Sequence, residues 1–182
     1  MALSEARRTT RVAAALSIAG FLASPLFTPT AAVAQTQIAG NALSLDLAME
    51  AAAESVRVCG EHGWHVSVSV VDSAGDVKLQ AKGDGSTVHT KDASFRKAYT
   101  TVTFGPIFGF DRLGDWVEKL KTNPYASAYA SLPNIFLLPG AVAVKIKGEI
   151  VAAIGVGGAP GGQNDEICAE AGLARIQNRL PQ

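Results

Sequence analysis

The spacing of apolar residues changes period several times along the chain, and each change marks an element. After Ser44, a helix cap, Leu45, Met49, Ala52, Val56 and Cys59 recur at steps of four and three, which predicts an amphipathic helix ending near Gly60 or Gly63. From His65 to Asp72 the period drops to two. Val66, Val68 and Val70 share one face and His65, Ser67 and Ser69 the other, the pattern of a half-buried strand. A turn at Ser73-Ala74-Gly75-Asp76 leads to Val77, Leu79 and Ala81 alternating with lysines and Gln80, so the two strands form a hairpin. Thr90 or Asp92 starts a second helix with Phe95, Tyr99 and Val102 inward, and Gly105-Pro106 is expected to end it. Leu113 to Lys121 predicts a short helix, Phe136 to Leu138 a short strand and Ala141 to Ile146 a longer one.

The most informative stretch is the last, Glu149 to Ile176. Ile150 to Val156 is apolar on both faces and predicts the central strand of a covered sheet. Gly155, Gly157, Gly158, Gly161 and Gly162 then make a turn-rich loop, and a helix follows, capped by Asn164 or Asp165, with Ala169, Gly172, Leu173, Ile176 and Leu180 on one stripe. The order helix, hairpin, helices, hairpin, helix implies an α/β (α+β) fold, an antiparallel β-sheet flanked by helices.

The N-terminus has a different logic. Arg7, Arg8 and Arg11 precede the apolar run Val12 to Ala23, and Ala32-Val33-Ala34 offers small residues for signal peptidase. Residues 1–34 therefore read as an export signal peptide and 35–182 as a single domain, placing the mature protein in the periplasm or outside the cell. No stable membrane anchor is expected, since Ser24, Pro25 and Pro29 interrupt the run below the roughly 20 residues a spanning helix needs. Setting the signal aside leaves 13 basic and 15 acidic residues and no basic stripe, so no nucleic-acid partner is expected. Cys59 and Cys168 make no metal-ligand pair such as C-x-x-C; after export they can bridge, or each can be a small core residue.

Three blocks, SVSVVDSAGDVK at 67–78, GDGSTVHTKDASFRKAYT at 83–100 and the final stretch 149–176, together resemble the GlcG/HbpS family of haem-binding proteins. The domain of this family also occurs at the C-terminus of PduO-type adenosyltransferases. The resemblance spans roughly Leu43 to Ile176 and departs from the family pattern at Leu138 to Val144. It implies a profilin-like fold, haem or another tetrapyrrole as ligand, and a homo-oligomer from dimer to octamer, but no defined reaction.

Haem iron takes His, Met, Cys or Tyr as axial ligand, with an apolar slot for the ring and basic groups for the propionates. His89, just before the second helix, is the strongest candidate iron ligand. Lys91, Arg96 and Lys97 follow as candidate propionate partners, and Tyr99 as a second ligand; each also reads as an ordinary helix-surface residue. His65 reads as a surface or interface histidine and His62 as part of the helix exit. A rival reading uses the backbone N–H groups of Gly157, Gly158, Gly161 and Gly162 to hold a small carboxylate, with Arg96 or Lys97 closing the site and Asp165 and Glu166 opposing it. A third is a structural oligomeric module. No hydrolase motif, paired carboxylates or zinc spacing is present.

Overall fold

The computed structural model describes residues 41–181; the export-signal reading of residues 1–34 lies outside them. Helix α1 (Leu45–Glu61) leads into the hairpin β1 (Ser67–Asp72) and β2 (Val77–Lys82). Helices α2 (Thr90–Phe108), α3 (Leu113–Leu120) and α4 (Ala126–Ala130) follow, then the hairpin β3 (Ala141–Ile146) and β4 (Glu149–Gly157), and finally α5 (Gly162–Ile176). The four strands form one antiparallel sheet in the order β2-β1-β4-β3, with β4 inside it as its apolar run predicts. No helix among the described residues is long and apolar enough to cross a membrane.

The two sheet faces are built differently. One carries Val68, Val70, Val142, Val144, Ala152, Ile154 and Val156 into the main core, against Ala51, Ala52, Ala169 and Ile176 of α1 and α5. The other carries small residues. Ser67 lies beside Gly157 and Ser69 beside Gly155 across the β1–β4 ladder, and α2 lies directly on them. β1 is therefore buried on both faces, a correction to the half-buried strand expected from its serines. Those serines alternate with valines like surface residues, yet each bonds a hydroxyl of α2: Ser67 to Thr90 at 2.7 Å and Ser69 to Ser94 at 2.8 Å. Burial of a hydroxyl carries little cost once it is paired in this way.

Three local expectations also change. α2 runs past Gly105-Pro106 to Phe108 and ends on Gly109 in the left-handed conformation (φ 67°). The hydrogen bond lost at Pro106 is offset by Phe108, which stacks on Trp116 with ring centroids 4.3 Å apart and meets Phe104 edge-on. Phe136 to Leu138 is not a strand: Phe136 N–H donates to Thr100 Oγ1 of α2 (2.8 Å), Leu138 N–H turns back to the Phe136 carbonyl (2.9 Å), and Arg96 donates to the preceding Ile135 carbonyl (2.7 Å). α5 is capped by Gly161 rather than by Asn164 or Asp165, and Asp165 is turned inward.

α1 buries Ala48, Ala51, Ala52, Ser55 and Cys59, leaving Leu45 and Met49 about half exposed, so its buried stripe is rotated from the one the large residues mark. The small stripe lets α5 come very near. A Cβ on Gly172 would lie 2.6 Å from the Ala51 carbonyl oxygen, closer than packed atoms allow. At this approach the Cα atoms of Cys59 and Cys168 lie 5.6 Å apart, and the two form a disulfide.

On the edge of the same helix Glu166 is buried, accepts the Gly114 N–H at 3.1 Å and has Arg112 Nε at 3.6 Å. Burial pushes its carboxyl above the ordinary 4.5, with the Gly114 N–H and Arg112 pulling the other way. An acid whose pKa is raised on folding stabilises fully below its unfolded value, and that contribution is lost as pH rises through the folded value.

Glu166→Gln keeps an acceptor for Gly114 while removing the ionisation, so its stability relative to wild type should rise as pH increases from 4.5 upward. Urea midpoints across that range measure it, and a constant or falling difference would refute the assignment. For the disulfide, replacing both cysteines with Ser should lower stability by up to about 4–5 kcal/mol, since the bridge closes a long loop. Two reactive thiols per chain in the unfolded, unreduced protein would show the bridge to be absent.

Candidate functional site: a groove between α2 and the glycine loop

The start of α2 and the glycine loop lie side by side. A groove of about 230 Å³ runs between them, lined on one side by His89, Ala93 and Lys97, on the other by Gly157 to Ala159 with Gly161 and Gly162, and closed by Phe136 and Leu138. Residues 89, 93 and 97 are one helical stripe, because steps of four return to the same face. The two sets of residues that the sequence offers to rival ligands, the histidine and the glycines, thus belong to one site.

The glycines are needed for closeness as much as for turning. A Cβ on Gly157 would sit 3.0 Å from the Thr90 carbonyl oxygen and from Ser94 N, and one on Gly158 (φ 133°) would sit 2.5 Å from the His65 carbonyl oxygen. The third wall is tied to α2 by Arg96, which donates to the Ile135 carbonyl and lies over the Phe136 ring, 4.9 Å from its centroid. Arg96 is thereby a structural clamp of the wall.

His89 is exposed at the mouth of the groove. Its Nδ1 is 3.1 Å from Thr87 Oγ1. With Nδ1 donating to that hydroxyl, Nε2 carries the free lone pair, the arrangement that orients metal-binding histidines.

Lys97 overturns its sequence-based role as a propionate partner. It is 1% exposed, and its Nζ lies 2.5 Å from Asp165 Oδ2, a buried ion pair inside the groove wall. Burial pulls the ammonium down and pushes the Asp165 carboxyl up, while their mutual attraction opposes both shifts. The other oxygen, Asp165 Oδ1, accepts the Ala159 N–H at 2.8 Å, and the Gly158 N–H also holds the carboxylate. Of the four glycines offered to a small carboxylate, Gly158 thus serves the chain's own carboxylate, as does the neighbouring Ala159. Gly140 (φ 128°) makes room for the pair, since a Cβ on it would lie 2.7 Å from both Lys97 Nζ and Asp165 Cβ.

Lys91 and Tyr99 do not line the groove. Lys91 is exposed, and Tyr99 packs against Phe95 and under Gly75 at the tip of the first hairpin, so it offers no second ligand to the groove that His89 borders. His65 is held by the Asp84 carbonyl (2.8 Å), and His62 stacks on Trp64. The groove residues missed from sequence are Phe136 and Leu138, while Asp165, read there as a helix cap and a charge opposing an anion, is instead the buried partner of Lys97. The apolar residues between Pro133 and Pro139 are the one sequence signal for that wall. A larger open cleft of about 940 Å³ lies at the opposite end of β4, around Asp111, Asp115, Lys145 and Glu149. No His, Cys, Met or Tyr lines it, so the smaller groove is the better candidate for a haem site.

A family model described as haem degrading protein HbpS-like matches residues 43–174. Among solved structures, a crystal structure of HbpS is 34% identical, with 74% of this chain and 90% of that one covered and a TM-score of 0.67. A double mutant of Streptomyces reticuli HbpS is likewise 34% identical over 82% and 97% of the two chains, at the same TM-score of 0.67. A PduOC:haem complex, at 18% identity, 74% and 95% coverage and a TM-score of 0.65, shares the fold. A comparison with curated proteins returned no match. The family match over most of the chain, the identity with HbpS and the antiparallel sheet flanked by helices agree, and the chain belongs to the HbpS-like family.

Proposed function

We propose that this protein binds haem at the groove between α2 and the glycine loop, with His89 as an iron ligand. The observation that carries this reading is His89 itself, at the mouth of a groove with apolar walls and with its Nδ1 held by Thr87. Family membership and the haem held by the PduOC relative support the choice of ligand. At about 230 Å³ the groove is smaller than the roughly 300–1,000 Å³ that encloses a drug-sized ligand. A tetrapyrrole would therefore enter by one edge and extend over the rim, where Leu138 and Val88 are 42% and 81% exposed. A second copy of the chain against that rim would bury the rest of the ring, in keeping with the homo-oligomer the family implies. Propionates left outside the groove would meet solvent or Lys91 rather than Lys97.

Export belongs to the same proposal. The sequence Arg7, Arg8, Arg11, then Val12 to Ala23, then Ala32-Val33-Ala34 supports cleavage before Gln35, and the Cys59–Cys168 bridge suits an oxidising compartment.

Haem titration of the purified protein should give a saturable Soret shift at about one haem per chain. His89→Ala should weaken binding at least tenfold and move the Soret band, and Thr87→Val should have a smaller effect of the same sign. An unchanged affinity and spectrum in His89→Ala would exclude it as a ligand. Mass spectrometry of the native protein should find a chain starting at Gln35; one starting at Met1 in the cytosol would refute export.

A further inference from the structure

We propose that Asp165 is a positioning residue: with Lys97 it locks the two walls of the groove together and so fixes where His89 stands relative to the ligand. The inference rests on the haem reading for its ligand, but its structural half stands without it. Asp165 sits in the first turn of α5, and its two oxygens point to different partners. One holds the Ala159 N–H of the glycine loop and the other the Lys97 ammonium of α2. No other described side chain hydrogen-bonds to both walls.

The lock acts on His89 through a rigid element. His89 and Lys97 are eight residues apart on one stripe, about 12 Å along the helix axis. A shift of α2 at Lys97 is therefore carried to the mouth of the groove. The pair also meets the third wall, because Gly140 leaves space that a side chain would take from Lys97 Nζ and Asp165 Cβ. A buried ion pair is a weak source of stability, since desolvation offsets most of the attraction. Its geometry, however, is demanding: a carboxylate with one oxygen on each wall holds them at one separation.

The test uses Asp165→Ala, Asp165→Asn and the double variant Lys97→Met/Asp165→Ala. Asn keeps an acceptor for Ala159, and the double variant avoids an unpaired buried charge if Asp165→Ala unfolds. Amide hydrogen exchange in ligand-free protein is read at Gly158 and Ala159, with Ile154 in β4 as the folding control. Asp165→Ala, or Lys97→Met/Asp165→Ala in its place, should speed exchange at the loop amides at least tenfold while Ile154 stays protected. Haem affinity should fall about tenfold and the Soret band should move. Asp165→Asn should recover loop protection and part of the affinity. Loop exchange unchanged in every variant would overturn the lock, and altered exchange with unaltered haem affinity and spectrum would overturn its role in positioning. Absence of haem binding by the wild-type protein would overturn the ligand assignment separately, the exchange measurements still deciding the lock.

Discussion

The structure depends on how closely α2 can lie on the sheet. On the face it covers, the inner strands present Ser67, Ser69, Ala153, Gly155 and Gly157, and a Cβ on Gly155 would stand only 2.7 Å from the Ala98 amide nitrogen. Large apolar residues there would lift the helix away. Small residues give up hydrophobic area, and the buried hydroxyl pairs of Ser67 with Thr90 and Ser69 with Ser94 satisfy the polar groups that remain. Because α2 is seated this low, its first turns meet the end of β4, where the glycine loop begins. The groove is the consequence of that seating, and so is the proximity of His89 to the loop.

The opposite face uses the same device for another end. Alanines and Ser55 on α1 face Gly172 on α5, and the helices come close enough for the Cys59–Cys168 bridge. The bridge fixes α5 behind the sheet, and α5 in turn carries Asp165 to the groove and Glu166 to the Gly114 amide. One helix thus connects the main core, the glycine loop and α3. The Lys97–Asp165 pair and Glu166 are interior, which accounts for their absence from any charge pattern along the chain.

Much of the fold is legible in the sequence because period and punctuation agree. The β1–β2 hairpin, the β3–β4 hairpin, the centrality of β4 and the order of the main helices follow from alternation, apolar runs and glycine turns. The failures share a physical cause, that small and polar residues form interfaces too. Ser67 and Ser69 look solvent-facing until α2 supplies hydroxyl partners, and Leu45 and Met49 suggest the buried face of α1 although its alanines form it. Lys97 is the clearest instance. A lysine next to an arginine on a helix reads as a solvated pair, and only the tertiary fold brings a carboxylate from 68 residues away to meet it. His89 is legible as a candidate because it stands just before a helix inside a block that resembles the family, whereas the Phe136–Leu138 wall has no periodic signature.

Whether His89 takes the metal at the centre of a tetrapyrrole is read from its imidazole nitrogens. Histidine-labelled protein titrated with zinc protoporphyrin, which keeps resonances sharp, reports coordination at each of the 3 histidines separately. The Nε2 resonance of His89 should move on binding while those of His62 and His65, held by Trp64 and Asp84, keep their positions. A coordination shift at His65 or His62, or saturable binding with no shift at His89, would contradict His89 as the ligand.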